Sequence, residues 1–154
     1  MTGTRYFEDV KEGEEMPGYT LTLDALRFAL QLSGSQDFHK QHVDEEFAHK
    51  QGVPHIFMNT RFTESCVSRL VTDWMGDEGT LRKFEMQMRR MNFPGDVMSV
   101  KGKVLSKREE NGQGVVECEL WAENTREGQT TTSKATVVLP LRPAAAAPKG
   151  AAGR

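Results

Sequence analysis

The hydrophobic period of the chain changes near its middle, and that change predicts the layout. In the first half, apolar residues recur at helical spacing. Leu21-Thr22-Leu23 reads as a short strand ending at Asp24, a residue suited to capping a helix N-terminus. Leu26, Phe28, Ala29, Leu30 and Leu32 follow at near-helical intervals, and Gly34 supplies a left-handed residue to close that helix. Asp44 can cap a second, short helix running through Phe47 and Ala48 to Gly52. The third helix is predicted to be the longest. From about Pro54, residues Met58, Phe62, Cys66 and Leu70 fall every fourth position, with Val67, Val71 and Trp74 beside them, until Gly76 stops the run. A stripe this wide predicts a helix buried on more than one side.

The second half has period two. Phe84, Met86 and Met88 alternate with charged or polar neighbours, which reads as a strand with the two methionines as core filler. Pro94-Gly95-Asp96 marks a turn. Met98, Val100 and Val104 then alternate with Ser99, Lys101 and Lys103, and Asn111-Gly112 is a strong hairpin signal. Val116, Cys118, Leu120 and Ala122 form the next strand, and Glu127-Gly128 turns the chain into Ala135, Val137 and Leu139. Four consecutive antiparallel strands, each wet on one face, need cover on the other. Only the helix from Pro54 to Trp74 is long enough to supply it. The expected class is α+β: one hot-dog domain, a curved antiparallel sheet wrapped around one long central helix.

Composition narrows the function. With 154 residues, 37% of them hydrophobic, and a mean hydropathy of −0.57, the chain has room for one core. No repeat or linker divides residues 5–141, the expected domain. The Ala/Pro/Gly-rich stretch 142–154 has no large apolar anchor and is expected to be a disordered tail. A net charge of −2 and a pI near 6.1 argue against nucleic acid as the main partner. No run approaches the ~20 apolar residues of a membrane span, and no charged-then-apolar leader opens the chain. The two cysteines, Cys66 and Cys118, form no CxxC pair, which fits packed thiols in a cytoplasmic protein.

One feature of the composition is uneven: the four histidines all fall between His39 and His55. The chemistry is expected in the polar loop from Ser33 to Asp44, which carries Asp37, His39 and His42. In a bent loop, Asp37 and His42 can reach one water molecule, an arrangement suited to general acid–base catalysis near neutral pH. Two other readings stand beside it. In the first, loop histidines and aspartates are simply solvated or capping groups, as Asp44 is for its helix. A metal site on His39, His42 and His49 matches no standard zinc spacing. No metal is expected.

The stretch Leu32-Ser33-Gly34 through Asp37-Phe38-His39-Lys40-Gln41-His42-Val43-Asp44, followed by Phe47-Ala48, resembles the hydratase motif of MaoC-like enoyl-CoA hydratases. Those hot-dog proteins carry Ser-Gly-Asp, any residue, Asn-Pro, an aliphatic residue and then His. The Asp-to-His spacing is kept here, and Tyr6-Phe7-Glu8-Asp9 resembles the usual opening of such chains. Ile56-Phe57-Met58-Asn59 through Val71-Thr72-Asp73-Trp74-Met75-Gly76 is most similar to one branch, the small catalytic subunit of actinobacterial steroid side-chain enoyl-CoA hydratase. The pattern departs in places. Ser35 and Gln36 stand between Gly34 and Asp37, His39 replaces the Asn, and Lys40 replaces the Pro. The family's His-Gly at the start of the central helix falls on Phe57-Met58, where the bulkier Met58 would narrow or redirect the acyl channel.

The resemblance implies reversible hydration of a trans-2-enoyl-CoA to an (R)-3-hydroxyacyl-CoA, with Asp37 and His42 catalytic and His39 in support. Backbone N–H groups of Phe57 and Met58 would meet the thioester oxygen. No cofactor is implied, since the CoA thioester is itself the substrate. Arg89, Arg90 and Lys101 are candidates by charge for the CoA phosphates. A chain of this size is expected to work as a homodimer or higher oligomer, or with a second hot-dog subunit. Two alternatives keep the fold: an acyl-CoA thioesterase using Glu64 on the central helix, and a non-catalytic partner subunit of a heteromeric hydratase.

Overall fold

The computed structural model describes residues 3–143. Strand β1 (Tyr19–Thr22) leads to helix α1 (Ala25–Ser35), a short helix α2 (Glu45–Lys50) and the long helix α3 (Thr60–Met75). Strands β2 (Thr80–Met88), β3 (Val97–Glu110), β4 (Gln113–Asn124) and β5 (Gly128–Leu139) complete one antiparallel sheet. The sheet order is β1-β3-β4-β5-β2, so β2 does not pair with β3, its successor in the chain. It crosses instead to the far edge, against β5. The second half is therefore a β3-β4-β5 meander flanked by two edge strands, not four strands in running order.

The hairpins follow from their turn residues. Asn111 and Gly112 both have positive φ, 52° and 73°, which matches the right-handed twist of the strands they join. Register shifts between Val104 and Ser106 and between Leu81 and Lys83 mark bulges. Such bulges bend a sheet, and this one curves around α3.

Helix α3 turns Cys66, Val67, Leu70, Val71 and Trp74 toward Val100, Val104, Val116, Cys118, Leu120, Ala135 and Val137, all in one buried cluster. Each fully buried Val or Leu here contributes about 1.5–3 kcal/mol relative to an exposed one. The expected burial on more than one side is not found. Arg61, Ser65, Arg69 and Asp73 leave the opposite face exposed, and Arg69 pairs with Asp73 at 3.2 Å. The helix also starts later than expected, at Thr60, because Asn59 caps it: its Oδ1 accepts from the Phe62 N–H at 2.8 Å. Met58 still enters the core, fully buried, from the segment leading to the helix. On β2, Phe84 packs against the core, but Met86 and Met88 are only half-buried because β2 is an edge strand.

Gly76 ends α3 with φ 74°, and a Cβ there would stand 2.6 Å from the Gly3 carbonyl oxygen. Asp24 and Asp44 cap α1 and α2 as expected. Gly34 does not close α1. The left-handed residue is Gln36, at φ 55°, whose N–H donates to Leu32 O at 2.9 Å. Both cysteines are free and buried, and burial pushes their thiols up to about 11 for Cys66 and about 12 for Cys118. At the chain's far end, Arg142 is held: its guanidinium bonds Asp9 at 2.6 and 2.7 Å and lies over the Tyr6 ring. The rest of the expected tail, from 144 onward, lies outside the described residues. Among those residues, no helix is long and apolar enough to cross a membrane.

Candidate active site

Two local events bring Asp37 and His42 together. The left-handed Gln36 turns the chain sharply off the end of α1, so Asp37 leaves at an angle to the helix. Asp37 then folds its own loop, as its Oδ1 accepts the His39 N–H at 3.3 Å. A single 3-10 turn over Lys40–His42 follows, with the His39 side chain as its cap: its Nδ1 accepts the Gln41 N–H at 3.3 Å. This turn swings the His42 imidazole inward, where only 3% of the side chain stays exposed.

The buried ring is fixed at both nitrogens. Nδ1 lies 2.7 Å from the Phe57 carbonyl oxygen. A carbonyl only accepts, so Nδ1 carries a proton and donates it. In the neutral ring Nε2 is therefore the basic nitrogen. It lies 3.4 Å from Asp37 Oδ2 and 3.4 Å from the Gln41 side-chain amide nitrogen. The Phe57 ring stands edge-on at 5.0 Å and limits rotation of the imidazole. At 3.4 Å the carboxylate is long for a direct hydrogen bond, yet both groups can touch one water at their common edge. Asp37 remains 41% exposed, so that edge is open to a substrate.

Of the expected site residues, Asp37 and His42 meet. His39 serves as the cap of the turn, with its ring centre 6.4 Å from that of His42. Gln41 and the Phe57 carbonyl belong to the site and were not among the expected residues. A backbone carbonyl leaves no mark in a sequence, and Gln41 has no distinctive neighbour. The expected oxyanion donors are engaged within the chain. The Phe57 N–H donates to Gln41 O at 3.4 Å and the Met58 N–H to Asn92 O at 2.9 Å. That second bond is held from behind, because Asn92 and Asp96 share the Asn124 amide at 3.0 and 3.1 Å. His49 and His55 lie apart from the pair, both exposed, flanking Glu45 at 4.0 and 3.7 Å. Glu64 is held by Arg61 at 2.9 Å.

The family model described as MaoC like domain matches residues 13–136. The chain belongs to the MaoC-like family. Solved structures share its hot-dog fold. The ChsH1-ChsH2 complex from Mycobacterium tuberculosis contains a chain 22% identical, with TM-score 0.75, over 84% of this chain and 98% of that one. The unliganded R-hydratase PhaJ1 from Pseudomonas aeruginosa is 18% identical, with TM-score 0.77, over 96% of each chain. The (R)-hydratase from A. caviae involved in PHA biosynthesis is 19% identical, with TM-score 0.76, over 86% of this chain and 99% of that one. A search of the curated proteins finds no significant sequence match.

Within this MaoC-like domain the three expected CoA-binding cations do not gather. Arg89 and Arg90 border a hollow with Pro54, Phe93 and Arg126. Arg126 is committed to Asp96 at 3.1 Å and stacks on Phe93 at 4.3 Å, while Arg90 reaches Glu127 at 3.6 Å. Arg89 has no side-chain partner among the described residues. Lys101 instead borders a separate hollow with Tyr19 and Trp121 and is paired with Glu123.

Proposed function

We propose that the chain catalyses the reversible hydration of a trans-2-enoyl-CoA to a 3-hydroxyacyl-CoA. The observation that carries this reading is the His42 imidazole, held by the Phe57 carbonyl so that its basic nitrogen faces the Asp37 carboxylate across 3.4 Å. A water at that edge donates one hydrogen to Nε2 and the other to Oδ2, leaving an oxygen lone pair free for C3. As the C3–O bond forms, His42 takes the water proton, and the resulting imidazolium lies between a carbonyl and a carboxylate, both of which stabilise it. The imidazolium then returns that proton from Nε2 to C2, which restores the neutral ring, while the second water hydrogen stays on the new C3 hydroxyl. Orientation as in the resembling hydratases would give the R product.

Charge develops on the thioester oxygen, and the amino end of α3 is suited to meet it. Among the described residues, the N–H groups of Thr60 and Arg61 have no partner, unlike those of Phe57 and Met58. His39 supports the site through the turn it caps. Arg89, and Arg90 beside it, are the cations proposed for the CoA phosphates; Lys101 is paired with Glu123 beside a separate hollow and is left out of this role. No cofactor takes part in this reading.

The working unit is proposed to be an oligomer, either of identical chains or with a second hot-dog subunit. Leu26 and Leu30 on α1 and Phe38 next to Asp37 are exposed at 65%, 56% and 63%, apolar side chains that a partner would cover. The deciding experiment follows loss of the enoyl absorbance on short-chain, medium-chain and steroid side-chain enoyl-CoA thioesters, with a thiol reagent present. Hydration without release of free CoA supports the proposal. Free CoA would make the chain a thioesterase, and activity appearing only with an added partner would make the catalyst heteromeric.

A further inference from the structure

Between the end of α1 and the start of α3 lies a buried polar cluster that the acid–base pair does not itself use. The Ser35 hydroxyl donates to Gln31 O at 2.5 Å and accepts from Asn59 Nδ2 at 2.7 Å and from the Asp37 N–H at 3.3 Å. A hydroxyl has one proton and two lone pairs, so this one is saturated and the sense of each bond is fixed. Asn59, 1% exposed, is equally committed: its N–H donates to Gln31 Oε1 at 2.6 Å, Oδ1 caps Phe62, and Nδ2 holds Ser35.

The two ends of this cluster are the two halves of the site. Ser35 grips the backbone of Asp37. Asn59 lies two residues beyond Phe57, whose carbonyl fixes His42. Between them, the Met58 N–H is pinned to Asn92 O, so the short segment cannot slide to absorb a displacement. Among the described residues, Gln31 Nε2 has no partner, and Gln31 is only 3% exposed. A buried donor left unpaired is unfavourable, which points to a geometric requirement at its other end.

We infer that Ser35 and Asn59 are positioning residues that set the separation of the Asp37 carboxylate from the His42 imidazole. The inference rests on the acid–base reading given above. It differs from a capping role alone, because capping needs only Asn59 Oδ1. Asn59→Asp keeps that acceptor and removes the donor to Ser35. Ser35→Ala removes the hydroxyl, and Ser35→Thr restores it.

The test pairs turnover with a signal that requires no substrate: the solvent exchange of the His42 Nδ1 proton, followed by NMR. Thermal melts identify folded variants. In folded Ser35→Ala and Asn59→Asp, the exchange is expected to quicken at least tenfold and kcat to fall at least tenfold, with KM within twofold. Ser35→Thr is expected to restore both. Exchange and kcat within twofold of the parent in both folded variants would overturn the inference, as would a Ser35→Thr no better than Ser35→Ala. If the parent hydrates no enoyl-CoA, the proposed reaction fails, while the exchange rates still judge the positioning claim.

Discussion

The Phe57 carbonyl oxygen lies 2.7 Å from His42 Nδ1, and this contact decides which nitrogen of the ring is basic. It follows that the two members of the pair fail differently. His42→Ala removes the base and its positioning together, and kcat should fall about 10²–10⁴-fold. Asp37→Asn keeps the shape but loses the charge that stabilises the imidazolium, and a fall within the same range is expected. Asp37→Asn should melt within a few degrees of the parent, whereas His42→Ala, which empties a buried site, should melt lower but still cooperatively. Full activity in either one would remove the acid–base assignment.

Gln36 occupies a left-handed backbone position that disfavours side chains with a Cβ. The Ser-Gly-Asp of the resembling hydratases has its glycine immediately before the aspartate, which is where Gln36 stands. Gln36→Gly should therefore raise stability by about 0.5–1 kcal/mol, net of the lost bond from Gln36 Nε2 to Ser33 O. Thermal melting measures it; a lower melting temperature would show that the Gln36 side chain outweighs the strain.

Among the described residues, Arg89 is the cation bordering the arginine hollow whose side chain has no partner to give up. Arg89→Ala should raise KM for an enoyl-CoA about 3–10-fold with kcat little changed, the signature of lost uniform binding. A pantetheine thioester lacking the nucleotide should show no difference between the variant and the parent. Equal effects on both substrates would place the CoA phosphates elsewhere.

The cysteines predict how stability responds to alkali. In the folded chain burial holds Cys118 up to about 12, above an ordinary thiol, so the unfolded chain binds fewer protons once pH passes the ordinary value. Stability should fall as pH rises from about 9 toward 12. Urea melts across that range should show a shallower fall in Cys118→Ala. The parent should also resist alkylation at pH 8 until it is unfolded.

Much of the fold was legible because its signals are local. Period-two strands, Asn111-Gly112 and the Asp24 and Asp44 caps each declare themselves within a few residues. What the sequence did not reveal was set at a distance. Nothing near β2 says that it crosses to β5, which leaves Met86 and Met88 at an edge. The helix start was misplaced because Met58 continues the apolar spacing, although the cap is Asn59. At the site, the spacing of Asp37 and His42 was readable. Gln41, Ser35 and the Phe57 carbonyl were not, because their roles exist only once α1 and α3 meet.

The backbone anchor of His42 has a consequence for how such sites drift. A carbonyl is encoded by every residue, so replacement of the Phe57 side chain cannot delete it. Selection at this position acts on the path of the chain, not on the identity of the amino acid. A lineage can rewrite the letter at Phe57 while the proton stays on the same nitrogen, as long as the segment from Phe57 to the Asn59 cap keeps its path.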